Sequence, residues 1–138
     1  MTRINLVPVS ELHDQHLFSE WREIKMVPKS LGRSLTARGI AGVVRMIPKE
    51  FILGTGHVSF FYDKGFYLRE RYRQLTAELN ARGVDYNPQS RLDPEGLFEM
   101  YPQLNNGYTP TPIALKLIRD RIADRVAAKP SWYRRTMQ

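Results

Sequence analysis

A free α-amine and a carboxylate close to the N-terminus set the chemistry open to this chain. Met1 is followed by the small residue Thr2, so trimming of the initiator Met would leave the amine on Thr2. Such an amine titrates near pH 8, roughly two units below a lysine side chain, and is partly neutral and nucleophilic at cellular pH. Downstream, Asp14-Gln15-His16 and Glu20-Trp21-Arg22-Glu23 lie on a polar, helix-like stretch. An amine nucleophile, a nearby carboxylate and a set of arginines suit the displacement of a base from deoxyribose. The plainer reading is an ordinary frayed terminus, with Glu23 a surface carboxylate on a helix.

The elements that must position these groups read as mainly helical. Residues 10–25 form a helix in this reading, with Ser10 as N-cap and Leu17, Trp21 and Ile24 on its buried face. The stretch 24–49 carries Lys25, Lys29, Arg33, Arg38, Arg45 and Lys49 and no acid. Pro28, Gly32, Gly39 and Gly42 make it loop-like, with a short helical piece over 28–38. It is either a solvated basic loop or one that wraps a phosphate backbone. Residues 50–63 are expected to be core-filling coil or short helix, with His57 buried and structural. A second long helix spans 64–83. There Leu68, Tyr72, Leu75 and Leu79 face inward, Arg69, Glu70, Arg71, Arg73 and Glu78 face outward, and Gly83 is the stop. A proline-punctuated connection over 84–111 packs Phe98, Met100 and Tyr101 onto the helices. The third helix spans 111–129, opened by Thr111 and Pro112 and striped by Ile118, Ile122 and Val126. Arg121 and Arg125 stack at i, i+4, with Lys129 one turn on. Asp120 and Asp124 are their local partners in the plainer reading. The expectation is an all-α single compact domain of three principal helices with long ordered loops.

Composition narrows the class. A chain of 138 residues makes one domain. With no cysteine, neither disulfides nor a thiolate zinc site can hold it. His13, His16 and His57 are too few and badly spaced for a metal cage, so no metal and no cofactor are expected. No apolar run suits a membrane span and no apolar leader follows Arg3 and Asn5, so a soluble, cytoplasmic protein is expected. Lys and Arg number 21 against 14 Asp and Glu, a net charge of +7. That excess suits a polyanionic partner, because bound Lys and Arg release counterions from phosphates.

An ordered set of motifs sharpens the reading. Thr2-Arg3-Ile4-Asn5-Leu6, Val9-Ser10-Glu11-Leu12, Asp14-Gln15-His16-Leu17, Glu20 and Arg22-Glu23 are followed by Phe51-Ile52-Leu53-Gly54, Gly56-His57-Val58, Phe60-Phe61-Tyr62-Asp63-Lys64 and Pro130-Ser131-Trp132-Tyr133. In that order the set resembles the phage endonuclease V family of pyrimidine-dimer DNA glycosylases over nearly the whole chain. The resemblance implies that Thr2 supplies the nucleophilic amine and Glu23 the essential acid. It implies that Arg3, His16 and Arg22 surround the damaged strand and that Arg121 and Arg125 grip phosphates. Gln15 and Lys129 are expected to assist on DNA. The family's phage member has a proline and then an arginine where this chain has Lys25 and Met26, and Lys25 is the candidate replacement cation. The C-terminal tail also departs, after Trp132-Tyr133. The implied substrate is the cyclobutane pyrimidine dimer in double-stranded DNA, selected through the deformability of the damaged duplex. A monomer with abasic lyase activity is expected. The rivals are the same chemistry on a ring-opened or alkylated purine, and a non-catalytic DNA-binding protein.

Overall fold

Helix-forming periodicity with no alternating runs yields a helical protein. The computed structural model describes residues 3–136, and Thr2 lies outside them. Along the chain come a 3₁₀ turn (Val9–Glu11), α1 (Asp14–Glu23), α2 (Met26–Met46), α3 (His57–Phe60), α4 (Gly65–Arg82), α5 (Leu97–Met100), a second 3₁₀ turn (Pro102–Leu104) and α6 (Pro112–Ala128). Among the described residues there is no strand, only an isolated antiparallel bridge between Lys64 and Asn105. No helix there is long and apolar enough to cross a membrane.

The all-α expectation holds, with one correction of substance. The basic stretch expected as loop is α2, a fourth long helix. Pro28 sits in its first turn, where a missing N–H leaves no bond unmade. Gly32 is a helical residue pressed against Leu97, whose Cδ1 would lie 3.5 Å from an added Cβ. Only Gly39 interrupts the backbone, with φ 70° and ψ 172°, a conformation that glycine adopts without cost. The first helix also starts later than expected. His13, not Ser10, precedes it, and Ser10 lies in the 3₁₀ turn.

The other helices follow their apolar stripes. Leu17, Trp21 and Ile24 of the first helix region meet Leu68, Leu75 and Leu79 of α4 in the core. Gly83 ends α4 in the left-handed region at φ 71°. Thr111 caps α6, its Oγ1 accepting from the Ala114 amide at 3.1 Å. Two expectations fail on individual residues. Met100 is 61 % exposed rather than packed on the helices. Arg71, expected to face outward, is only 3 % exposed.

Arg71 explains how the N-terminal segment is fixed. Its guanidinium grips buried Glu20 of α1 by two bonds, Nε to Oε2 at 2.6 Å and Nη2 to Oε1 at 3.0 Å. Its Nη1 donates to the Val7 carbonyl at 2.6 Å. Glu20 Oε1 also accepts the Asn5 amide at 3.1 Å. On the other side the Ile4 amide donates to His57 Nε2 at 2.9 Å, and His57 Nδ1 donates to the Ile52 carbonyl at 2.9 Å. Residues 4–7 are therefore held from two sides. Between them Leu6 takes φ 59° while the Val7 amide reaches the Asn5 carbonyl at 2.5 Å. That γ-turn conformation is costly for a side-chain-bearing residue and persists only where the surroundings over-determine it.

Candidate active site

The clamped N-terminal segment forms one wall of a cleft of about 260 Å³. Arg3 and Asn5 contribute from that segment. Helix α1 contributes Gln15, His16, Ser19, Glu20 and Glu23, positions that share one stripe at helical spacing. Arg125 enters from α6, and Trp132 and Tyr133 from the tail.

Glu23 is half-buried at the last residue of α1. Burial pushes its carboxyl above the usual carboxylate range, against the opposing pull of Arg22 and Arg3. The negative end of the α1 dipole acts in the same direction as burial. Such a group takes up a proton more readily than an ordinary glutamate. Arg3 lies under the opposite stress. Burial and then the charges of Arg125 and Arg121 lower its pKa. Among the described residues no ion pair engages Arg3, Arg22, Arg121 or Arg125, and Asp120 pairs instead with Lys116 at 2.7 Å. Guanidinium groups that repel one another, with Glu23 nearby but no carboxylate in direct contact, make a place for an anion.

His16 is neutral at cellular pH, its pKa held down to about 4 by burial first and then by His13, Arg3 and Arg125. It stacks on Tyr133 at 4.7 Å between ring centroids, with 8° between planes. Gln15 holds the same tail: its Nε2 donates to the Trp132 carbonyl at 2.7 Å and its Oε1 accepts the Arg134 amide at 3.1 Å. Asp14 adds bonds to the Thr136 amide and hydroxyl. The tail aromatics are thus walls of the cleft, and Gln15 acts by orienting them.

Of the residues singled out from sequence, Arg3, Gln15, His16, Glu23 and Arg125 come together here. Arg121 stands close enough to act on Arg3, and exposed Arg22 acts on Glu23. Lys129 is exposed at the α6 C-cap and does not line the cleft. Lys25 does not line it either. Its Nζ donates to Ser90 Oγ at 2.7 Å and lies 3.5 Å from the Trp21 ring centroid. That places it in a larger groove of about 690 Å³ between α2 and residues 91–97. The smaller cleft is the candidate active site, because it joins a carboxylate of raised pKa to converging cations. Glu20, Arg71, Trp132 and Tyr133 were not singled out as site residues. Glu20 shares the His16–Glu23 stripe, and that spacing is the signal that marks it. Among the described residues no group of three His, Cys, Asp or Glu side chains is placed to hold a metal.

The cleft sets a half-buried carboxylate of raised pKa beside guanidinium groups, an arrangement suited to a polyanion and to proton transfer next to it. The family model for pyrimidine dimer DNA glycosylase matches residues 1–101. The chain belongs to that family, and its class is DNA glycosylase acting on damaged DNA. The match takes in the N-terminal segment and α1, and it ends before α6.

Proposed function

We propose that this protein excises ultraviolet-induced cyclobutane pyrimidine dimers and cuts the resulting abasic strand through an imine on the Thr2 α-amine. The neutral amine attacks C1′ of a dimer nucleotide. The C1′–N bond breaks, and the base departs with that electron pair and takes up a proton. The amine nitrogen loses its proton, the C1′–O4′ bond opens, and a protonated imine forms. The imine acidifies the C2′ protons. Loss of one of them expels the 3′ phosphate by β-elimination, and water then releases the amine. Glu23 stabilises the cationic sugar and carries protons between these steps. Arg3, Arg22, Arg121 and Arg125 hold the flanking phosphates, with His16 and the tail aromatics shaping the space beside the lesion. The protein acts as a monomer inside the cell, on double-stranded DNA, with no cofactor.

The observation that carries this reading is the shared cleft of Arg3 and Glu23. The clamps on residues 4–7 fix the segment that carries Arg3 into the cleft, which supports assigning the chemistry to this end of the chain. Removal of Met1 is required, and the intact mass of the purified chain reports it. Glu23→Gln is expected to abolish excision from irradiated duplex while retaining binding. Unchanged turnover in that variant would remove Glu23 from the mechanism. Excision from an alkylated but not an irradiated duplex would keep the chemistry and replace the lesion.

A further inference from the structure

Asn5 holds a polar group that the fold leaves unused. The residue lines the cleft and is only 4 % exposed. Its backbone is engaged: the amide donates to Glu20 Oε1 at 3.1 Å and the carbonyl accepts the Val7 amide at 2.5 Å. Its side-chain Oδ1 is buried and has no hydrogen-bond partner among the described residues. A buried acceptor without a partner costs stability, and an apolar side chain of the same shape would avoid that cost. The next residue, Leu6, adds the strain of φ 59°. Two costs in adjacent residues, at the wall of a cleft, mark a place where the fold serves something other than stability. Among the described residues His16 Nδ1 is the other unpartnered buried atom on the cleft. Its ring, however, is half-buried and stacked on Tyr133.

The neighbouring groups indicate what such an acceptor is for. Arg3 and Arg125 line the same cleft, and their charge opposes any cation formed there. The Glu20 carboxylate is taken up by Arg71 and by the Asn5 amide. The Gln15 side chain is taken up by the tail. Glu23 carries protons in the mechanism above, and a second carboxylate beside it would raise its pKa further. A neutral carboxamide oxygen accepts a hydrogen bond from a cationic N–H without that side effect. We propose that Asn5 is a further catalytic residue, its Oδ1 accepting the N–H of the protonated imine. This rests on the imine reading and deepens it. The bond keeps the imine nitrogen protonated against the surrounding arginines, so that it remains an electron sink while C2′ loses its proton.

The test compares the parent with Asn5→Leu, which keeps the approximate side-chain shape and removes the amide. Strand cleavage is followed with protein in excess over a duplex carrying one preformed abasic site, so that base release does not enter. Asn5→Leu is expected to cleave roughly 10- to 100-fold more slowly, the weight of a lost charge-assisted hydrogen bond. Its affinity for that duplex and its melting temperature are expected to be no lower than the parent's. The alkaline limb of its pH–rate profile is expected to move to lower pH, because an unsupported imine gives up its proton more easily. A packing role alone would leave that limb in place. A parental rate with a parental pH profile overturns the inference. Should that variant not fold, Asn5→Ser, whose shorter side chain cannot place an oxygen at the same point, is expected to show the same slowing. A parental rate there overturns the inference equally. Borohydride trapping of the parent separates the two readings. No adduct with the parent would overturn the imine itself, whereas a trapped parent with parental cleavage by Asn5→Leu would overturn only the role of Asn5.

Discussion

Single residues decide where the N-terminal segment lies, and the Glu20–Arg71 pair does most to fix it. Both side chains are almost fully buried, at 1 % and 3 % exposure. Glu20 accepts from Arg71 and from the Asn5 amide, and Arg71 also donates to Val7. Removing one partner of such a pair strands a charge in the interior, which costs roughly 3–5 kcal/mol. Arg71→Met is therefore expected to lower unfolding free energy by about that amount in a denaturant titration. A loss near zero would mean that the pair does not hold the segment. Gln15 and Glu23 stood out on the polar face of the first helix, whereas the roles expected of Glu23 and His16 came from the family resemblance and not from spacing. Arg71 did not stand out, because an arginine among Arg69, Arg71 and Arg73 looks like a solvated face. Its place three residues after Leu68 and four before Leu75 puts it in the apolar stripe. Arg82, also buried, sits seven residues after Leu75 in the same stripe.

At the scale of elements, α1, α4 and α6 declared themselves by apolar periodicity and by the caps Thr111 and Gly83. Helix α2 did not. Its glycines and Pro28 are breakers by type, and what makes them tolerable is tertiary: a proline in the first turn and a glycine beneath Leu97. A similar close approach occurs where α4 begins. A Cβ on Gly65 would stand 2.4 Å from Cγ and Cδ1 of Phe98, a ring only 1 % exposed and unable to withdraw. Overpacking of a well-filled core costs typically 1–3 kcal/mol. Gly65→Ala is expected to destabilise by about that much in the same titration. A neutral result would show that α4 and α5 are free to separate.

Over the whole molecule, the net charge of +7 announced a polyanion partner, but not how the cations divide between cleft and groove. That division depends on folding that joins residues far apart in sequence, Arg3 with Arg125 at the cleft and Lys25 with Arg91 at the groove. The histidines supply a global prediction. Burial is the leading cause that lowers the pKa of His13, His16 and His57, with His16 at about 4. The folded protein therefore binds fewer protons than the unfolded chain below pH 6.5, so stability rises with pH in that window. It is fully present above about 6.5 and is lost as pH falls toward about 4. Melting temperature is expected to drop across this interval. A flat profile would contradict neutral histidines, His57 buried and His13 and His16 half-buried, in the native state. Asp14 extends the loss to lower pH. Burial raises its pKa, but its bonds to Thr136 and Arg82 outweigh that and hold it below the usual range.

The most direct test of the central claim is reduction with borohydride during reaction with dimer-containing duplex, followed by peptide mapping of the covalent adduct. The account predicts one adduct, on the α-nitrogen of a Met-trimmed Thr2, reduced or lost in Glu23→Gln. Excision without any trapped adduct, or an adduct carried by a lysine, would contradict it.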